Sequence, residues 1–476
     1  MPRPPDVIFI TTDQQRYDSA GFDGNPHVRT PHLDALAAEG CVLDECFAST
    51  SVCAPSRATL MTGRYAHLHG QLSNGFTLRA GEPLWWHALA DAGYRTAGIG
   101  KMHVEPWDDP LGWEDNVRVE GKDWLMGVDA YAAFLQAHGY AFTRPRDAPA
   151  AKGISWCRGR ISPVPAEHHI DAFIGAQAVE AVQRAADDKR PLAAWFSFCS
   201  PHHPIDPPQE YADRYANTPV PPHVFDPDEA QSKPIEQRVM YMWDRIGGDE
   251  AARQQAWRYY YATIELVDDQ IGRIVEALRQ TGRLANTLLI FTTDHGEMLF
   301  QHGLFDKAFA FYDDVYHVPA FVRWPGQVRP GRYGELVEHV DLIPLIYRAA
   351  GRPVPEALSG ADLLGMLHGT TAPRKSVVGE HFHMRMLRTR AAKLVNYAGR
   401  EYGELYDLAA DPHELHNLWD QPAAAELRAR LMKELADRLT WDVDPAFREL
   451  VEPTNKGAYG DYLKRWDDLR IRYLRK

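Results

Sequence analysis

The sequence predicts an α/β fold in which a large, mostly parallel sheet is sandwiched by helices. Two apolar runs rich in β-branched residues, Val7–Asp13 and Leu288–Asp294, are near-copies of each other and suit strands buried on both faces. Shorter apolar runs at Thr96–Gly100 and Leu192–Phe198 predict two more strands. Because helical patterns lie between these runs, we expect the strands to be largely parallel.

Three segments between or beside the strands have helical patterns, namely Pro31–Glu39, Ile170–Ala185 and Ala251–Gln280. In the last segment, apolar side chains recur at helical spacing from Tyr261 to Leu278. This periodicity predicts that one face of the helix packs on the sheet.

The stretch from Val104 to Pro165 is rich in Trp, Gly, Pro and charged residues. Its one short helical pattern is Ala130–Ala137, and the rest is hard to assign. We interpret the stretch as long loops over the ends of the strands, where binding specificity usually resides.

Beyond Gly351 the pattern changes to short strands, Lys393–Tyr397 and Glu404–Leu408, followed by a helix near Ala423–Leu439. This change predicts a smaller α+β subdomain. We therefore divide the chain into a large α/β domain (1–370), a C-terminal subdomain with a small antiparallel sheet and a helix (371–440), and a tail (441–476). The charged, aromatic tail leaves open a homo-oligomer, either a dimer or a tetramer.

The composition is that of a folded globular protein. The chain has 476 residues, of which 45% are hydrophobic, so it can build one large domain with a smaller one appended. Its 52 basic and 65 acidic side chains give a net charge of −13, which argues against broad binding to nucleic acids or anionic membranes. An anionic substrate would therefore need a local attraction.

Two features of the sequence bear on its compartment. No run of about 18 apolar residues occurs, and Met1–Asp6 leads directly into a short apolar strand instead of the longer apolar segment of a signal peptide. The cysteines are odd in number and lack paired spacing, which indicates neither a disulfide framework nor a zinc ribbon. We therefore expect a cytoplasmic protein in which one cysteine can be reactive. The five are Cys41, Cys46, Cys53, Cys157 and Cys199.

Polar side chains follow each of the four predicted strands. In open α/β sheets, ligands gather at the carboxyl ends of the strands, which meet at one edge. The sequence therefore predicts a site to which four separate strands contribute. The residues expected there are Asp13, Lys101, His103, His202, Asp294 and His295.

The segment Cys53-Ala-Pro-Ser-Arg, followed by Thr-Gly-Arg64, resembles the signature of the sulfatase family. The resemblance extends from Asp13 through Gly351 to the stretch 404–412. It implies an alkaline-phosphatase-like core and a catalytic role for residues 1–370. It also implies that a separate maturation enzyme oxidises Cys53 to formylglycine, whose hydrate attacks the sulfur of a sulfate monoester through a covalent sulfated intermediate.

Pro55 suits the first turn of a helix that runs toward Thr62, which would place Cys53 beside the positive helix end. Arg57, one turn further on, is expected to hold the hydrated aldehyde or a substrate oxygen. The alternative interpretation is a buried, inert cysteine that merely precedes a helix.

The resemblance also implies a divalent cation, with Asp13, Gln14, Asp294 and His295 as its ligands next to the residue made from Cys53. These Asp-Gln and Asp-His pairs resemble the subgroup that contains choline sulfatases and phosphonate monoester hydrolases. Many sulfatases have a carboxylate and an amide where this chain has Gln14 and His295. The amide and the imidazole found here shift the metal preference from calcium toward manganese, iron or zinc. The identity of the metal therefore stays open.

Lys101 and His103 match the family element Gly-Lys-x-His, to which sulfate oxygens and the diol hydroxyl are assigned. Alternate residues of an extended chain point the same way, so we expect both side chains to reach one ligand. By the same resemblance His202 is a candidate general acid, Lys307 bridges the sulfate and the leaving oxygen, and Asn74 contacts the substrate.

Three functions fit these residues. The first is hydrolysis of sulfate monoesters, and the second is hydrolysis of phosphonate monoesters or phosphodiesters with the same nucleophile. The third is a catalytically silent member that binds anions. The alcohol half of the substrate cannot be read, because the loop aromatics either line its pocket or pack the loops. These aromatics are Trp107, Trp113, Trp124 and Trp156.

Overall fold

The computed structural model describes residues 3–106, 109–121, 129–140, 159–226, 228–237, 250–307 and 310–441. The strands of the large domain are β1 (Asp6–Asp13), β2 (Cys41–Phe47), β3 (Arg95–Gly100), β4 (Asp115–Arg118), β5 (Leu192–Pro201), β6 (Thr287–Thr293), β7 (Phe321–Arg323) and β8 (Gly331–Glu338). They form one sheet in the order β4-β3-β5-β1-β6-β7-β2-β8. Only β7 runs antiparallel to its neighbours, so the predicted mostly parallel sheet is confirmed.

The register of the central strands fixes the position of the site. Strand β1 pairs with β5 on one side and β6 on the other, both parallel. Thr12 lies opposite Thr293, so Asp13 and Asp294 leave the sheet together at the same edge. The duplicated strand-plus-aspartate pattern therefore becomes a pair of adjacent carboxylates.

The α-helices are α1 (Pro31–Ala38), α2 (Cys53–Thr62), α3 (Ala66–His69), α4 (Trp85–Asp91), α5 (Ala130–Ala137), α6 (Ile170–Asp188), α7 (Gln209–Arg214), α8 (Glu229–Ser232), α9 (Glu250–Gln280), α10 (Asp313–Tyr316), α11 (His339–Ala349), α12 (Leu363–Leu367) and α13 (Ala425–Trp441). Short 3-10 turns occupy Gly21–Asp23, Ala166–His168, Leu284–Asn286, Gln301–Gly303 and Pro422–Ala424. Among the described residues, no helix combines the length and apolarity needed to cross a bilayer.

The helices cover both faces of the sheet, as the continuous apolar strands require. Val7 and Phe9 of β1 are buried with residues of α2, α4, α11 and α12 on one face. Ile8 and Ile10 are buried with residues of α1, α6 and α9 on the other face. Successive side chains of a strand point to opposite faces, so a strand between two helical layers is apolar throughout.

The C-terminal subdomain has an antiparallel sheet of β9 (Ser376–His381), β10 (Met384–Thr389), β11 (Ala392–Tyr397) and β12 (Gly403–Asp407), paired in chain order. Leu431 and Leu435 of α13 pack on one face. The other face packs against Phe47, Met298 and other residues of the large domain. The predicted α+β subdomain is thereby confirmed.

The two edge strands of the large sheet, β4 and β8, were not predicted from the sequence. Strand β4 lies inside the stretch interpreted as loops, because its four residues have no apolar pattern. Strand β8 begins with exposed residues and is buried only at its end. The predicted oligomerising tail from 442 onward lies outside the described residues, as do Trp107, Trp124 and Trp156. The division at residue 370 stays a prediction.

Trp113 packs the loops. Its side chain is buried and stacks on Trp86, with the ring centroids 4.1 Å apart. Trp85 meets both rings edge-on. Of the two interpretations of the loop aromatics, Trp113 therefore follows the packing one.

Candidate active site

Four residues from different parts of the chain form one buried group at the ends of β1 and β6. They are Asp13, Cys53, Asp294 and His295, and the ligand atoms that they offer lie within 4.8 Å of one another. The Sγ atom of Cys53 is 3.1 Å from Nε2 of His295 and 3.9 Å from Oδ1 of Asp13. We call these four residues the acidic cluster.

Cys53 is the first residue of α2, so the sequence prediction of a helix start at this point agrees with the structure. The free N–H groups of a helix start favour a nearby negative charge. Ser56, in the same turn, donates a hydrogen bond to the main-chain oxygen of Asp294 (2.5 Å), which ties the helix to the end of β6. Cys53 is therefore held against the two aspartates by main-chain structure.

Asn74 caps the same helix. Its Oδ1 accepts the N–H of Ala54 at 3.1 Å, while Val52 at the helix start provides no side-chain cap. Asn74 itself is exposed. The structure therefore places this predicted substrate contact beside Cys53 and gives it a structural role there.

The Cys53 thiol differs from the other cysteines in its electrostatic environment. Burial and Asp13 raise the pKa of Cys53, but Lys101, Lys307 and His295 outweigh them and lower it to about 5. Burial raises the pKa of Cys41 to about 11 and that of Cys46 further. None of the cysteines in the described part of the chain is in a disulfide, and of Cys41, Cys46 and Cys53 only Cys53 has a lowered pKa.

Arg57 lies behind the acidic cluster and is completely buried. Its Nε donates to Asp294 at 2.9 Å, and Nη2 is 3.2 Å from a carboxylate oxygen of Asp13. Nη1 donates to the main-chain oxygen of Lys101 (2.7 Å) and to Ser197 (2.6 Å). The guanidinium therefore neutralises the two carboxylates, whereas the sequence analysis expected it to hold the diol or a substrate oxygen.

Lys101 also belongs to the site. Its Nζ contacts Oδ2 of Asp13, and the side chain is 3% exposed. Burial lowers the pKa of Lys101, but Asp13 and Cys53 more than compensate, so the pKa is raised. Burial alone would raise the pKa of Asp13, but Lys101, with other neighbouring cations, lowers it well below its usual range.

His103 does not follow Lys101 in the way the extended-chain argument required. Strand β3 ends at Gly100, and His103 has a φ of 53°, in the left-handed region. Its N–H donates to Glu120, and its Nδ1 is buried with no hydrogen-bond partner in the described residues. The chain therefore turns before the alternation of a strand reaches His103.

Lys307 and His202 meet next to the acidic cluster. The Nζ of Lys307 is 2.7 Å from Nε2 of His202 and 3.2 Å from Asp306, and it donates to Oε1 of Gln14. The Nδ1 of His202 is 2.6 Å from the main-chain oxygen of His203. A proton on Nδ1 satisfies that oxygen and leaves Nε2 as the acceptor of the lysine proton.

The two groups differ in charge. Burial, Lys307 and His203 lower the pKa of His202 well below its usual range. Burial lowers the pKa of Lys307, but Asp306, Cys53 and Asp13 raise it overall. Lys307 is thus the protonated partner and His202 the neutral one at neutral pH.

Gln14 connects this pair to two carboxylates that the sequence analysis missed. Its Nε2 donates to Glu297 and, at 3.1 Å, to Asp306. Glu297, Asp306 and His203 form a second group with metal-ligand side chains. Each carboxylate already accepts hydrogen bonds from this network, so the group acts as a hydrogen-bonded support. Glu297 lies two residues after His295, and this closeness to a predicted ligand was the sequence signal that could have placed it near the site.

The acidic cluster fits a divalent cation. It offers two carboxylates, an imidazole and the side chain at position 53, all fully buried, and this mixture of oxygen and nitrogen donors suits manganese, iron or zinc as well as calcium. Gln14 lies next to it, with its main-chain N–H 3.0 Å from Oδ1 of Asp294.

Comparisons with known proteins agree with this geometry. The family profile described as "Sulfatase" matches residues 5–352, and a second, described as "N-sulphoglucosamine sulphohydrolase, C-terminal", matches residues 300–440. The chain is 28% identical to an arylsulfatase of Clostridium perfringens, over 91% of this chain and 95% of that protein. It is 27% identical to a choline-sulfatase of Rhizobium meliloti, over 96% and 92%.

A solved structure is similar along nearly the whole chain. The phosphonate monoester hydrolase of Agrobacterium radiobacter superposes with a TM-score of 0.78 at 26% identity, over 92% of this chain and 96% of that one. The Sulfatase profile spans well over half of the sequence, and the signature cysteine lies in a buried group suited to a metal ion. The chain therefore belongs to the sulfatase family of the alkaline phosphatase superfamily.

Proposed function

We propose that this protein hydrolyses sulfate monoesters with a formylglycine made from Cys53. The observation that carries the proposal is the position of Cys53, at the start of α2 and within 4.8 Å of the ligand atoms of Asp13, Asp294 and His295. The formylglycine supplies a nucleophilic oxygen, and a divalent cation supplies Lewis-acid activation of it. A separate maturation enzyme and a cytoplasmic location belong to the same proposal.

The residues in and around the acidic cluster have different roles in the proposed reaction. Asp13, Asp294 and His295, with Gln14 beside them, hold the cation. Arg57 orients the two carboxylates and supplies a positive charge beside them, since its guanidinium contacts both. Lys101 supplies a positive charge next to Asp13, which favours a sulfate group at this edge of an otherwise acidic protein.

The leaving alkoxide needs a proton, and Lys307 is the group best placed to supply it. Its ammonium group donates to Nε2 of His202, which is neutral and can accept and return a proton. The two side chains therefore form a donor pair instead of His202 acting alone. A positioned donor of this kind contributes about 10²- to 10⁴-fold to rate.

The second candidate function is hydrolysis of phosphonate monoesters or phosphodiesters. It is favoured by the Asp13-Gln14 and Asp294-His295 pairs and by the similarity to a phosphonate monoester hydrolase structure. Lys101 favours the sulfate monoester, because it matches the Gly-Lys-x-His element of the sulfatases and its ammonium group contacts Asp13 of the acidic cluster. We propose sulfate as the preferred substrate and phosphonate as a secondary one.

A direct competition of activities tests this proposal. An aryl sulfate and an aryl phosphonate with the same leaving group should be compared on protein that carries formylglycine, with Cys53→Ala as the control without nucleophile. We expect the larger kcat/KM for the sulfate. A large preference for phosphonate would establish the second function. Turnover of neither ester above the Cys53→Ala control would leave only the anion-binding alternative, and full activity of Cys53→Ala would refute the assigned nucleophile.

A further inference from the structure

The amide group of Gln14 lies between two carboxylates and an ammonium group. Its Nε2 faces Glu297 and Asp306, and its Oε1 faces Nζ of Lys307. Amide nitrogen donates hydrogen bonds and amide oxygen accepts them, so this orientation satisfies all three neighbours. Rotation by half a turn would set acceptor against acceptor and donor against donor.

The main chain of Gln14 is also fixed. Its φ of 66° lies in the left-handed region, which is uncommon for a residue with a side chain. Its N–H donates to Asp294 at 3.0 Å, and the hydroxyl of Tyr260 donates to its main-chain oxygen at 2.5 Å. With the backbone held, the remaining choice is which end of the amide faces Lys307.

The hydrogen bonds of Glu297 bear on which end of the Gln14 amide faces Lys307. It is 1% exposed, and its Oε1 accepts the main-chain N–H groups of Leu299, at 2.9 Å, and of Asp306. Its Oε2 is then left to accept from Gln14. These donors require a side chain that accepts hydrogen bonds at both of its terminal atoms. A carboxylate does so, whereas a glutamine would place an NH2 donor at one of the two positions.

We propose that Glu297 is a positioning residue that turns the carbonyl oxygen of Gln14 toward Lys307 and the acidic cluster, where it can bind the cation. This inference rests on the proposed function only for the presence of a divalent cation. It assigns Glu297 a role in metal affinity, with no contact to the substrate.

A pair of exchanged substitutions tests the inference. In Glu297→Gln, we expect the new amide oxygen to keep the two main-chain N–H donors, so that the new NH2 group faces the NH2 group of Gln14. The Gln14 amide is then expected to turn over and present its own NH2 group to Lys307. In Gln14→Glu, two carboxylates face each other. The double variant Gln14→Glu with Glu297→Gln restores one acceptor and one donor at the contact between positions 14 and 297 and returns an oxygen to Lys307. Asp306 faces a carboxylate in both variants that carry Gln14→Glu.

The readout is the affinity of metal-stripped protein for Mn²⁺ alone, measured by calorimetry without substrate. Loss of a residue that orients a metal ligand typically costs about 10- to 100-fold in affinity, so we expect each single variant to weaken Mn²⁺ binding by at least about tenfold. We expect the double variant to recover part of that loss and to bind Mn²⁺ more tightly than either single variant. Glu404→Gln, which changes a buried carboxylate of the C-terminal sheet, should bind Mn²⁺ as the unchanged protein does.

Unchanged affinity in Glu297→Gln, or a double variant no better than the single ones, would overturn the inference. If Glu297→Gln alone fails to fold, recovery of folding and Mn²⁺ binding in the double variant supports the inference, and failure of both variants overturns it. Because the assay contains no ester, a failure of the proposed sulfatase activity would appear separately in the turnover comparison.

Discussion

Arg57 gives the sharpest prediction about the stability of the site. Its guanidinium is fully buried and contacts Asp13 and Asp294, so Arg57→Met leaves buried carboxylates without this partner. Breaking a buried ion pair on one side costs roughly 3–5 kcal/mol. Lys101 still pairs with Asp13, so we expect the lower end, about 3 kcal/mol, for the metal-free protein.

The assay is urea unfolding of metal-stripped protein, with and without Mn²⁺. Arg57→Met should unfold at a lower urea concentration, and Mn²⁺ should stabilise it, because the cation supplies the missing positive charge. Arg57→Lys keeps the charge but not the fork of donors, so it should unfold at a urea concentration between those of Arg57→Met and the unchanged protein. If Arg57→Met instead unfolds like the unchanged protein and only raises KM, Arg57 contacts the substrate and our reasoning is wrong.

Three further predictions concern single residues of the site. Lys307→Ala should lower kcat/KM by about 10²- to 10⁴-fold for substrates with poor leaving groups and less for good ones, which a series of aryl sulfates measures; an equal loss throughout the series argues against proton donation. Asn74→Ala should lower the free energy of unfolding by about 1 kcal/mol through loss of the cap on Ala54, while Asn74→Asp keeps it; equal stability of both variants would contradict the capping role. In metal-free, unconverted protein, the Cys53 thiolate should persist as the pH falls from 9 to about 5 and then become protonated, because the pKa of Cys53 is lowered. The difference in ultraviolet absorbance between this protein and Cys53→Ser measures the thiolate fraction. A titration midpoint near 9 would contradict the lowered pKa.

The sequence predicted the parts of the fold that depend on long apolar patterns. Strands β1 and β6 have continuous apolar centres and lead directly into aspartates, so both their burial and their shared edge could be predicted. The amphipathic helix α9 was equally clear. The edge strands β4 and β8 could not be predicted, because strands with polar or exposed residues have no such periodicity.

The site shows the same division. Cys53, Asp13, Asp294 and His295 come together as the motif and the strand ends indicated. The role of Arg57 could not be predicted, since a sequence position one turn into a helix does not show whether the side chain points forward to a ligand or back to a carboxylate.

A turn of the main chain and buried hydrogen-bond partners explain the remaining differences between the predicted and the observed site. His103 departs from the prediction because its positive φ ends the strand geometry on which the prediction depended. Glu297 was missed because a charged side chain is usually exposed, and only the packed structure shows the two main-chain N–H donors that hold its carboxylate inside. Asp306 was missed because only the folded chain brings its carboxylate to Gln14 and Lys307.

The measurement that tests the central claim most directly is mass spectrometry of the peptide containing Cys53, combined with aryl sulfate turnover of the same sample. The protein should be produced with and without a formylglycine-generating enzyme. We predict an aldehyde or its hydrate at position 53 in the first sample and turnover in proportion to the converted fraction. Equal turnover from protein in which this residue is still a thiol would contradict the account.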